Sequence, residues 1–360
     1  MEKIAIVFGC YAPMHQGHLD IILRAKKECD RVFLFVGGCE DEEDRGGDNL
    51  PLELRVRLVK RFFNNDPLVS VFEINDTKLG IDESMSTENW TIWLDYLMKV
   101  VGENTPDPGF DTYVFYCGEP PYKEQLESRG YEVVLCEREN HISGTACREN
   151  PIKHWSKITR EFRPYFSRNI LIVGAASEGK TTLCEDIGKY FNCPVSHECA
   201  RDRIADTFKA ETDLNVNDFI YNIYEQNKLN KELIAKSENG IFVSDTDNMV
   251  SLMYAHQFVK RGLGKLTQKE YDNVLVPLTD AMQKTLRWNM VFMLAPTGKP
   301  YVDDGVRSDE YSSDEDRREF FSELFELCNY YGYKYEILTG NYLENFLRVR
   351  DYIRELMEAE

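Results

Sequence analysis

The sequence has few of the features that mark secreted, membrane-spanning or nucleic-acid-binding proteins. Its 10 cysteines include no C-x-x-C pair, and it begins on a strand pattern without a signal segment, which favours a reduced, cytoplasmic location. No apolar stretch approaches the roughly 20 residues that cross a bilayer. Lys and Arg total 43 against 62 for Asp and Glu, a formal net charge of -19, so most of the surface would repel a polyanion. We expect a protein that is not membrane-embedded and that binds no nucleic acid.

Two α/β domains are predicted from the chain length and from the order of its patterns. A chain of 360 residues suffices for about two cores, and no internal repeat is present. Short apolar runs alternate with helical patterns in both halves, which predicts two parallel sheets covered by helices. The segment 151–168 mixes Pro, Trp and basic residues between the two halves. We therefore predict domains at residues 1–155 and 156–360.

The strongest motif is the run GAASEGKTT at residues 174–182, directly after the apolar strand 169–173. Its G-x-x-x-x-G-K-[ST] spacing is that of a P-loop, whose backbone N–H groups cradle phosphates at a helix N-terminus. In such a loop Lys180 supplies a positive charge, and the Thr181 hydroxyl reaches Mg²⁺. The candidate nucleotide-binding residues are Gly174, Ser177, Glu178, Gly179, Thr181 and Thr182.

Two carboxylates follow the apolar strand 241–244, where a P-loop enzyme needs an acid for hydrated magnesium. Asp245 and Asp247 would share one face of an extended strand. One carboxylate would bind the metal and the other would orient or deprotonate the attacking hydroxyl. We predict that Thr181 and Asp247 are the metal ligands. The alternative is that either aspartate caps the end of a strand.

Two arginine-containing clusters complete the predicted kinase site. Glu198 and Arg201 follow the second predicted strand of this half, where a substrate ribose would lie. Arg307 lies in the run VDDGVR, in the position of a mobile lid, from which it could stabilise the γ-phosphoryl charge during transfer. Surface ion pairs are the alternative for both arginines.

A second phosphate-binding turn closes the first strand of the chain. The run GCYAPMHQGH, residues 9–18, places His15 and His18 at i, i+3 at the start of a helix, where neutral imidazoles can donate to a phosphate. A surface or metal-linked histidine pair is the alternative, but no third ligand lies nearby. The candidate binding residues of this turn are Gly9, Cys10, Tyr11 and Gly17.

This H-x-G-H turn resembles that of the nucleotidyltransferase family, which joins an adenylyl group to a phosphate with loss of pyrophosphate. The run ISGTACR resembles the family's triphosphate-gripping segment, and the resemblance assigns that role to Ile142, Ser143, Thr145 and Arg148. Gly118 and Glu119 occupy the place of its adenosine-contacting turn. Trp90 and Trp93 resemble the W-x-x-W of nicotinamide mononucleotide adenylyltransferases, where a ring stacks on the pyridine. By spacing alone, the two tryptophans would more often be one core-facing side of a helix.

The two halves in this order resemble the NadR-type bifunctional enzymes, nicotinamide-nucleotide adenylyltransferase followed by ribosylnicotinamide kinase. The resemblance implies a Rossmann-like nucleotidyltransferase sheet before a P-loop kinase sheet, ATP and Mg²⁺ as cofactors, and nicotinamide riboside, nicotinamide mononucleotide and NAD as ligands. Members that repress transcription carry a helix-turn-helix ahead of the first strand, so we expect a salvage enzyme without the repressor. A homo-oligomer is also compatible with the sequence.

Three cysteines depart from the family pattern. Cys10 and Cys117 replace hydroxyl or small polar residues, and Cys147 replaces an aliphatic one. Because a thiol is a weak hydrogen-bond donor, a weak or regulatory first domain stays an alternative, for example a sensor of NAD or ATP that controls the kinase or a riboside transporter. A pantetheine-phosphate adenylyltransferase joined to a small-molecule kinase is a further alternative, which the tryptophan pair disfavours.

Overall fold

The computed structural model describes residues 2–40, 50–81, 86–105, 109–136, 142–200, 211–298 and 313–358. The chain divides into a first unit, Met1–Phe162, and a second unit, Arg163–Glu360. This division falls a few residues beyond the predicted 155/156 junction. Ile158 and Phe162 are buried in the first unit, and both the N–H and the hydroxyl of Thr159 donate to the Met14 carbonyl at 3.1 Å. The segment after residue 155 therefore belongs to the core beneath the first phosphate-binding turn.

The first unit is built on a five-stranded parallel sheet with the strand order β3-β2-β1-β4-β5. Its strands are β1 Lys3–Gly9, β2 Arg31–Gly38, β3 Val69–Asn75, β4 Thr112–Cys117 and β5 Glu132–Leu135. Its helices are α1 Gln16–Glu28, α2 Leu52–Phe62, α3 Asp76–Leu79, α4 Thr87–Glu103, α5 Pro120–Glu127 and α6 Gly144–Glu149. The central strand β1 is buried on both faces because helices cover both sides of the sheet.

The strand order reverses at β1, and this reversal fixes where a ligand can enter. Val7 of β1 pairs with Leu34 of β2 on one side and with Tyr116 of β4 on the other. The turn after β1 and the turn after β4 therefore leave the same edge of the sheet and diverge. In open α/β sheets such a switch point opens a crevice at the carboxyl ends of the strands.

The second unit repeats the principle with the strand order β10-β9-β6-β8-β7, again all parallel. Its strands are β6 Arg168–Gly174, β7 Val195–Ser196, β8 Ile241–Ser244, β9 Met290–Leu294 and β10 Tyr335–Leu338. Its helices are α7 Lys180–Phe191, α8 Val216–Lys236, α9 Asn248–Arg261, α10 Gln268–Glu270, α11 Val276–Gln283, α12 Asp314–Tyr330 and α13 Tyr342–Glu358. The P-loop leaves the central strand β6, between β8 and β9.

The predicted α/β class with two parallel sheets is confirmed, and residues 248–289 form helices for which we made no sequence prediction. The structure places α9, α10 and α11 there, with the π-helical turn Tyr271–Leu275 joining the last two. Helix α9 buries both apolar and polar side chains, Gln257 among them, so it lacks the one-sided apolar stripe that reveals a surface helix. Within the described ranges, no helix has the length and apolar character needed to cross a membrane.

Candidate active sites

A cleft at the switch point of the first unit gathers most of the side chains predicted for adenylyl transfer. Its lining includes Gly9, Cys10, Tyr11, His15, His18, Trp90, Trp93, Gly118, Glu119, Ser143, Thr145 and Arg148. These residues come from the turn after β1, the N-terminal halves of α1 and α4, the turn after β4, and helix α6 with its N-cap. The sheet topology therefore brings four separate sequence motifs to one place.

The histidine pair lies at the N-terminus of α1, where the His18 ring offers a donor. His15 caps α1, and its backbone N–H donates to Nδ1 of His18 at 3.2 Å. Because Nδ1 of His18 is an acceptor, the neutral His18 ring carries its proton on Nε2. The two rings stack with centroids 3.8 Å apart, and the Tyr11 ring lies 4.6 Å from His18. The turn thus offers a neutral N–H donor and a helix N-terminus to an anion.

Helix α6 is docked directly onto this turn. The guanidinium of Arg148 donates from Nη1 to the Ala12 carbonyl at 2.5 Å and from Nη2 to the Thr145 hydroxyl at 3.1 Å. A Cβ on Gly144 would lie 3.0 Å from the Ala12 oxygen and 3.2 Å from Arg148 Nη1, so glycine permits the approach. The Ser143 hydroxyl accepts from the Ala146 N–H at 3.1 Å and caps the helix. Arg148 and Ser143 therefore shape the phosphate site as well as line it.

Two predicted binding residues of this unit pack below the cleft instead of lining it. A Cβ on Gly17 would lie 3.1 Å from Ile142 Cγ2 and 3.2 Å from the His15 ring. Ile142 itself is buried. The glycine at this position lets the isoleucine and the imidazole pack together, so both residues support His15 from behind.

Aromatic side chains form one wall of the cleft. Trp90 is only 7% exposed and belongs to the core of the unit, while Trp93 is half-buried and lies 5.1 Å from the Phe8 ring. Tyr122 packs edge-on against Trp90 at 5.8 Å. Both tryptophans line the cleft, and Trp93 is the more exposed of the two.

The sequence interpretation missed Arg55, which is fully buried beneath the first phosphate-binding turn. Its Nη1 donates to the carbonyls of Cys10 at 2.5 Å and Gly37 at 3.1 Å, and its Nε donates to the Leu50 carbonyl at 3.1 Å. It thereby ties the residue after β1 to the end of β2. The sequence feature that could have revealed a buried role for Arg55 was its position on the apolar face of an amphipathic helix, next to Val56.

The P-loop of the second unit has the backbone that its glycines predict. Gly174 and Gly179 have φ of 157° and 91°, and a Cβ on Gly174 would lie 2.8 Å from the Leu294 oxygen. Ser177 also has a positive φ, 62°. Lys180 opens α7 and its Nζ donates across the loop to the Ala175 carbonyl at 2.8 Å. The exposed Thr182 follows in the first turn of the helix.

Asp245 is the carboxylate that faces the P-loop. Its Oδ2 accepts a hydrogen bond from the Thr181 hydroxyl at 2.7 Å, and its buried Oδ1 accepts none from the described residues. His197, a residue that sequence reasoning missed, bridges Asp245 Oδ2 at 3.3 Å and Glu185 Oε1 at 2.7 Å. Its position directly after the two-residue strand β7 gave no chemical signal in the sequence.

The structure corrects the assignment of Asp247 to the metal. Strand β8 ends at Ser244, so the two aspartates do not share a strand face, and Asp247 is the N-cap of α9. Its Oδ1 accepts from the N–H groups of Met249 and Val250 at 2.7 and 3.3 Å. Its Oδ2 accepts from Gln283 Nε2 at 2.8 Å and Trp288 Nε1 at 2.7 Å. Four donors occupy this buried carboxylate, which leaves Asp245 as the acid beside Thr181.

The Glu178 side chain is likewise engaged within the protein. Its buried carboxylate accepts from the N–H and hydroxyl of Thr297 at 3.3 and 2.8 Å, and from Arg317 Nη1 at 3.3 Å. The side chains of Glu178 and Arg317 are 1% and 4% exposed. This buried ion pair ties the P-loop to α12 and to the turn after β9.

Glu198 follows strand β7 and lies close to the P-loop. It lines a small cavity together with Lys180 and Asp245. The two predicted arginines, Arg201 and Arg307, lie outside the described residues.

The Asp245 carboxylate and the Thr181 hydroxyl fit a hydrated magnesium ion that arrives bound to a nucleotide. Across the parts of the chain that the structure describes, His, Cys, Asp and Glu side chains form no cluster of three that could hold a metal alone. Mg²⁺ keeps several waters and commonly binds one or two protein oxygens together with phosphates. The buried Oδ1 of Asp245 and the adjacent Thr181 hydroxyl match that donor set.

Comparison with known proteins covers both units. Residues 6–150 match the cytidylyltransferase-like family and residues 169–345 match an AAA domain family. A trifunctional NAD biosynthesis/regulator protein NadR from Salmonella typhimurium is 25% identical over 373 residues, covering 99% of this chain and 84% of that protein.

Two crystal structures of NadR extend this likeness to three dimensions. The complex with NR has a TM-score of 0.80 and 28% identity, and covers 98% of this chain and 95% of that one. The complex with NAD and AMP-PNP has a TM-score of 0.78 and 28% identity, and covers 100% of this chain and 97% of that one. The chain is thus similar to NadR through both units and over nearly its whole length.

Proposed function

We propose that the protein makes NAD from nicotinamide riboside in two ATP-dependent steps. The second unit transfers the γ-phosphoryl group of ATP to the 5′-hydroxyl of the riboside and gives nicotinamide mononucleotide. The first unit joins the adenylyl group of another ATP to that mononucleotide and gives NAD and pyrophosphate. Support comes from the likeness to NadR, which was crystallised in one complex with NR and in another with NAD and AMP-PNP.

In the second unit, positioning and charge carry the phosphoryl transfer. The P-loop N–H groups and Lys180 would hold the ATP phosphates, and the N-terminus of α7 adds the favourable end of its dipole. Thr181 and Asp245 would hold Mg²⁺, which when bound neutralises phosphate charge. Glu178 keeps the loop in its phosphate-binding shape through Thr297 and Arg317.

In the first unit, the mononucleotide phosphate would attack the α-phosphorus of ATP while the pyrophosphate leaves. His18 presents Nε2–H to the developing phosphate charge, and His15 stacks behind it. Arg148 adds positive charge beside the same turn. These fixed donors stabilise the transition state without a covalent intermediate.

The observation that carries the adenylyltransferase proposal is the composition of the cleft. The cleft is lined by two groups suited to bind phosphate, His18 and Arg148, and by the aromatic rings of Trp90 and Trp93. A pyridine nucleotide has a phosphate at one end and a flat aromatic ring at the other. The cleft therefore offers both ends of that substrate a matching surface.

The decisive experiment incubates the pure protein with nicotinamide riboside, ATP and Mg²⁺ and follows products by chromatography. We expect mononucleotide first and NAD second. Lys180→Ala should abolish the first step and spare NAD synthesis from added mononucleotide, whereas His18→Ala should do the reverse. Mononucleotide without NAD would instead support a sensory first unit, and loss of both steps in either variant would contradict independent sites.

A further inference from the structure

His197 and Asp245 are brought side by side by the pairing of two strands. Ser196 of β7 pairs with Ser244 of β8, and His197 and Asp245 are the residues that follow these two serines. The Asp245 N–H donates to the Ser196 carbonyl at 3.2 Å, which continues the ladder to the ends of both strands. Since parallel strands in register end at the same edge of the sheet, the two side chains start from neighbouring positions there.

Four side chains form a closed cycle of contacts at this edge of the sheet. Oδ2 of Asp245 accepts from the Thr181 hydroxyl at 2.7 Å and lies 3.3 Å from Nδ1 of His197. Nε2 of His197 lies 2.7 Å from Oε1 of Glu185. Thr181 and Glu185 are four residues apart on α7 and therefore lie on the same face of that helix. The cycle thus begins and ends on the helix that follows the P-loop.

This cycle fixes the direction of the Asp245 carboxylate. An ionised carboxylate can only accept hydrogen bonds, so the hydroxyl of Thr181 and the ring of His197 both donate to Oδ2. Turning the carboxylate out of its plane would break both contacts. The buried Oδ1 has no donor among the described residues. It is therefore the oxygen that the cycle holds ready for a ligand arriving with a nucleotide.

We propose that His197 is a positioning residue of the riboside kinase step, which holds Asp245 so that its Oδ1 can bind Mg²⁺ or one of the waters of that ion. This inference deepens the function proposed above and rests on it. Replacing a residue that orients a metal-binding side chain typically lowers metal affinity or activity by about 10–100-fold. The loss of His197 should therefore weaken what Mg²⁺ adds to nucleotide binding and leave the P-loop contacts to the phosphates unchanged.

The test measures how much Mg²⁺ strengthens nucleotide binding. The full-length protein is saturated with NAD to fill the first unit, and AMP-PNP is titrated by calorimetry, once with Mg²⁺ and once with EDTA. The ratio of the two Kd values gives the Mg²⁺-dependent gain in affinity. For His197→Ala we expect this gain to fall about tenfold or more, with the Kd in EDTA within about twofold of the wild type. The kcat for riboside phosphorylation should fall in parallel.

Two amide variants separate positioning from packing. The amide nitrogen of an asparagine takes the place of the histidine Nδ1, and that of a glutamine takes the place of Nε2. His197→Asn therefore keeps a donor for Asp245 and should retain most of the Mg²⁺-dependent gain. His197→Gln keeps only the contact with Glu185 and should lose the gain as His197→Ala does.

The matched control is His256→Ala, because His256 also belongs to the second unit and also lies beside a carboxylate, 3.4 Å from Glu323 Oε2. The side chains of His197 and His256 are 46% and 42% exposed, so both substitutions should leave the protein folded. His256→Ala should keep wild-type nucleotide binding and kinase activity.

An unchanged Mg²⁺-dependent gain in His197→Ala would overturn the proposal. A Kd raised by the same factor with Mg²⁺ and with EDTA would show a structural role only and would reject it as well, as would equal losses in His197→Asn and His197→Gln. A wild-type protein that forms no mononucleotide would instead reject the kinase function. Its Mg²⁺-dependent binding of AMP-PNP could still be measured, so the two failures are distinguishable.

Discussion

The two aspartates after β8 allow a test of which carboxylate serves catalysis, because the same substitution should have different effects at these two positions. Asp247→Asn should destabilise the second unit and Asp245→Asn should inactivate it. Asp247 accepts from four protein donors. One oxygen of Asp245 accepts from the Thr181 hydroxyl and lies 3.3 Å from the His197 ring, and its other, buried oxygen has no donor among the described residues.

The loss of stability expected for Asp247→Asn follows from the hydrogen-bond acceptor that the substitution removes. An asparagine has one carbonyl oxygen, so its amide group must face either the N–H groups of α9 or those of Gln283 and Trp288. Rotation of the Gln283 amide does not help, because its Oε1 already accepts from the Tyr333 hydroxyl at 2.8 Å. Two hydrogen bonds to a charged acceptor are lost at about 1.5–3 kcal/mol each, so we expect a loss of about 3–6 kcal/mol in the free energy of unfolding.

Asp245→Asn keeps an acceptor for Thr181 and removes a buried charge, so the free energy of unfolding should change by no more than about 1 kcal/mol. Its kinase rate should fall by about 10²-fold or more, because the acid that would hold Mg²⁺ is lost.

Pulse proteolysis across a urea series suits both variants, since fragments of each unit can be scored separately and the first unit serves as an internal reference. Riboside phosphorylation is measured in parallel. An Asp247→Asn protein as stable as the wild type, or an Asp245→Asn protein with full kinase activity, would refute this division of roles.

Three further predictions concern the first unit and the thiols. Gly144→Ala should lower NAD synthesis and spare riboside phosphorylation, because the added methyl group meets the Ala12 carbonyl at 3.0 Å; equal effects on both rates would contradict this. Trp93→Ala should mainly raise the KM for mononucleotide, whereas Trp90→Ala should cost about 3–5 kcal/mol of stability as a core truncation, and denaturant unfolding with steady-state kinetics separates the two. At about pH 8 a thiol reagent should modify the four partly exposed cysteines rapidly and the six buried ones slowly, since burial raises the pKa of thiols such as Cys193 to about 12; ten rapid reactions would contradict the burial.

Much of the molecule follows from local sequence. The P-loop and the H-x-G-H turn are each made by consecutive residues between a strand and a helix, so their spacing alone identifies them. The alternation of apolar runs and helical patterns predicts two parallel sheets, and the carboxyl ends of parallel strands then bring the separate motifs of the first unit into one cleft. The family resemblance rested on these same contiguous motifs.

The roles of individual polar residues were decided by the tertiary structure. Asp247 is a cap because Gln283 and Trp288, 36 and 41 residues away, donate to it. Glu178 stabilises the P-loop because its carboxylate accepts hydrogen bonds from Thr297 and Arg317, 119 and 139 residues away.

Arg55 of the first unit shows the same dependence, since it supports the first phosphate-binding turn through the Cys10 carbonyl, 45 residues away. A buried charged or polar group is stable only where its hydrogen bonds are satisfied, and the partners that satisfy them are set by packing. The sequence by itself therefore determined the elements and the phosphate-binding loops. Which carboxylates remain available for chemistry depends on long-range donors, and only the folded chain brings those donors into place.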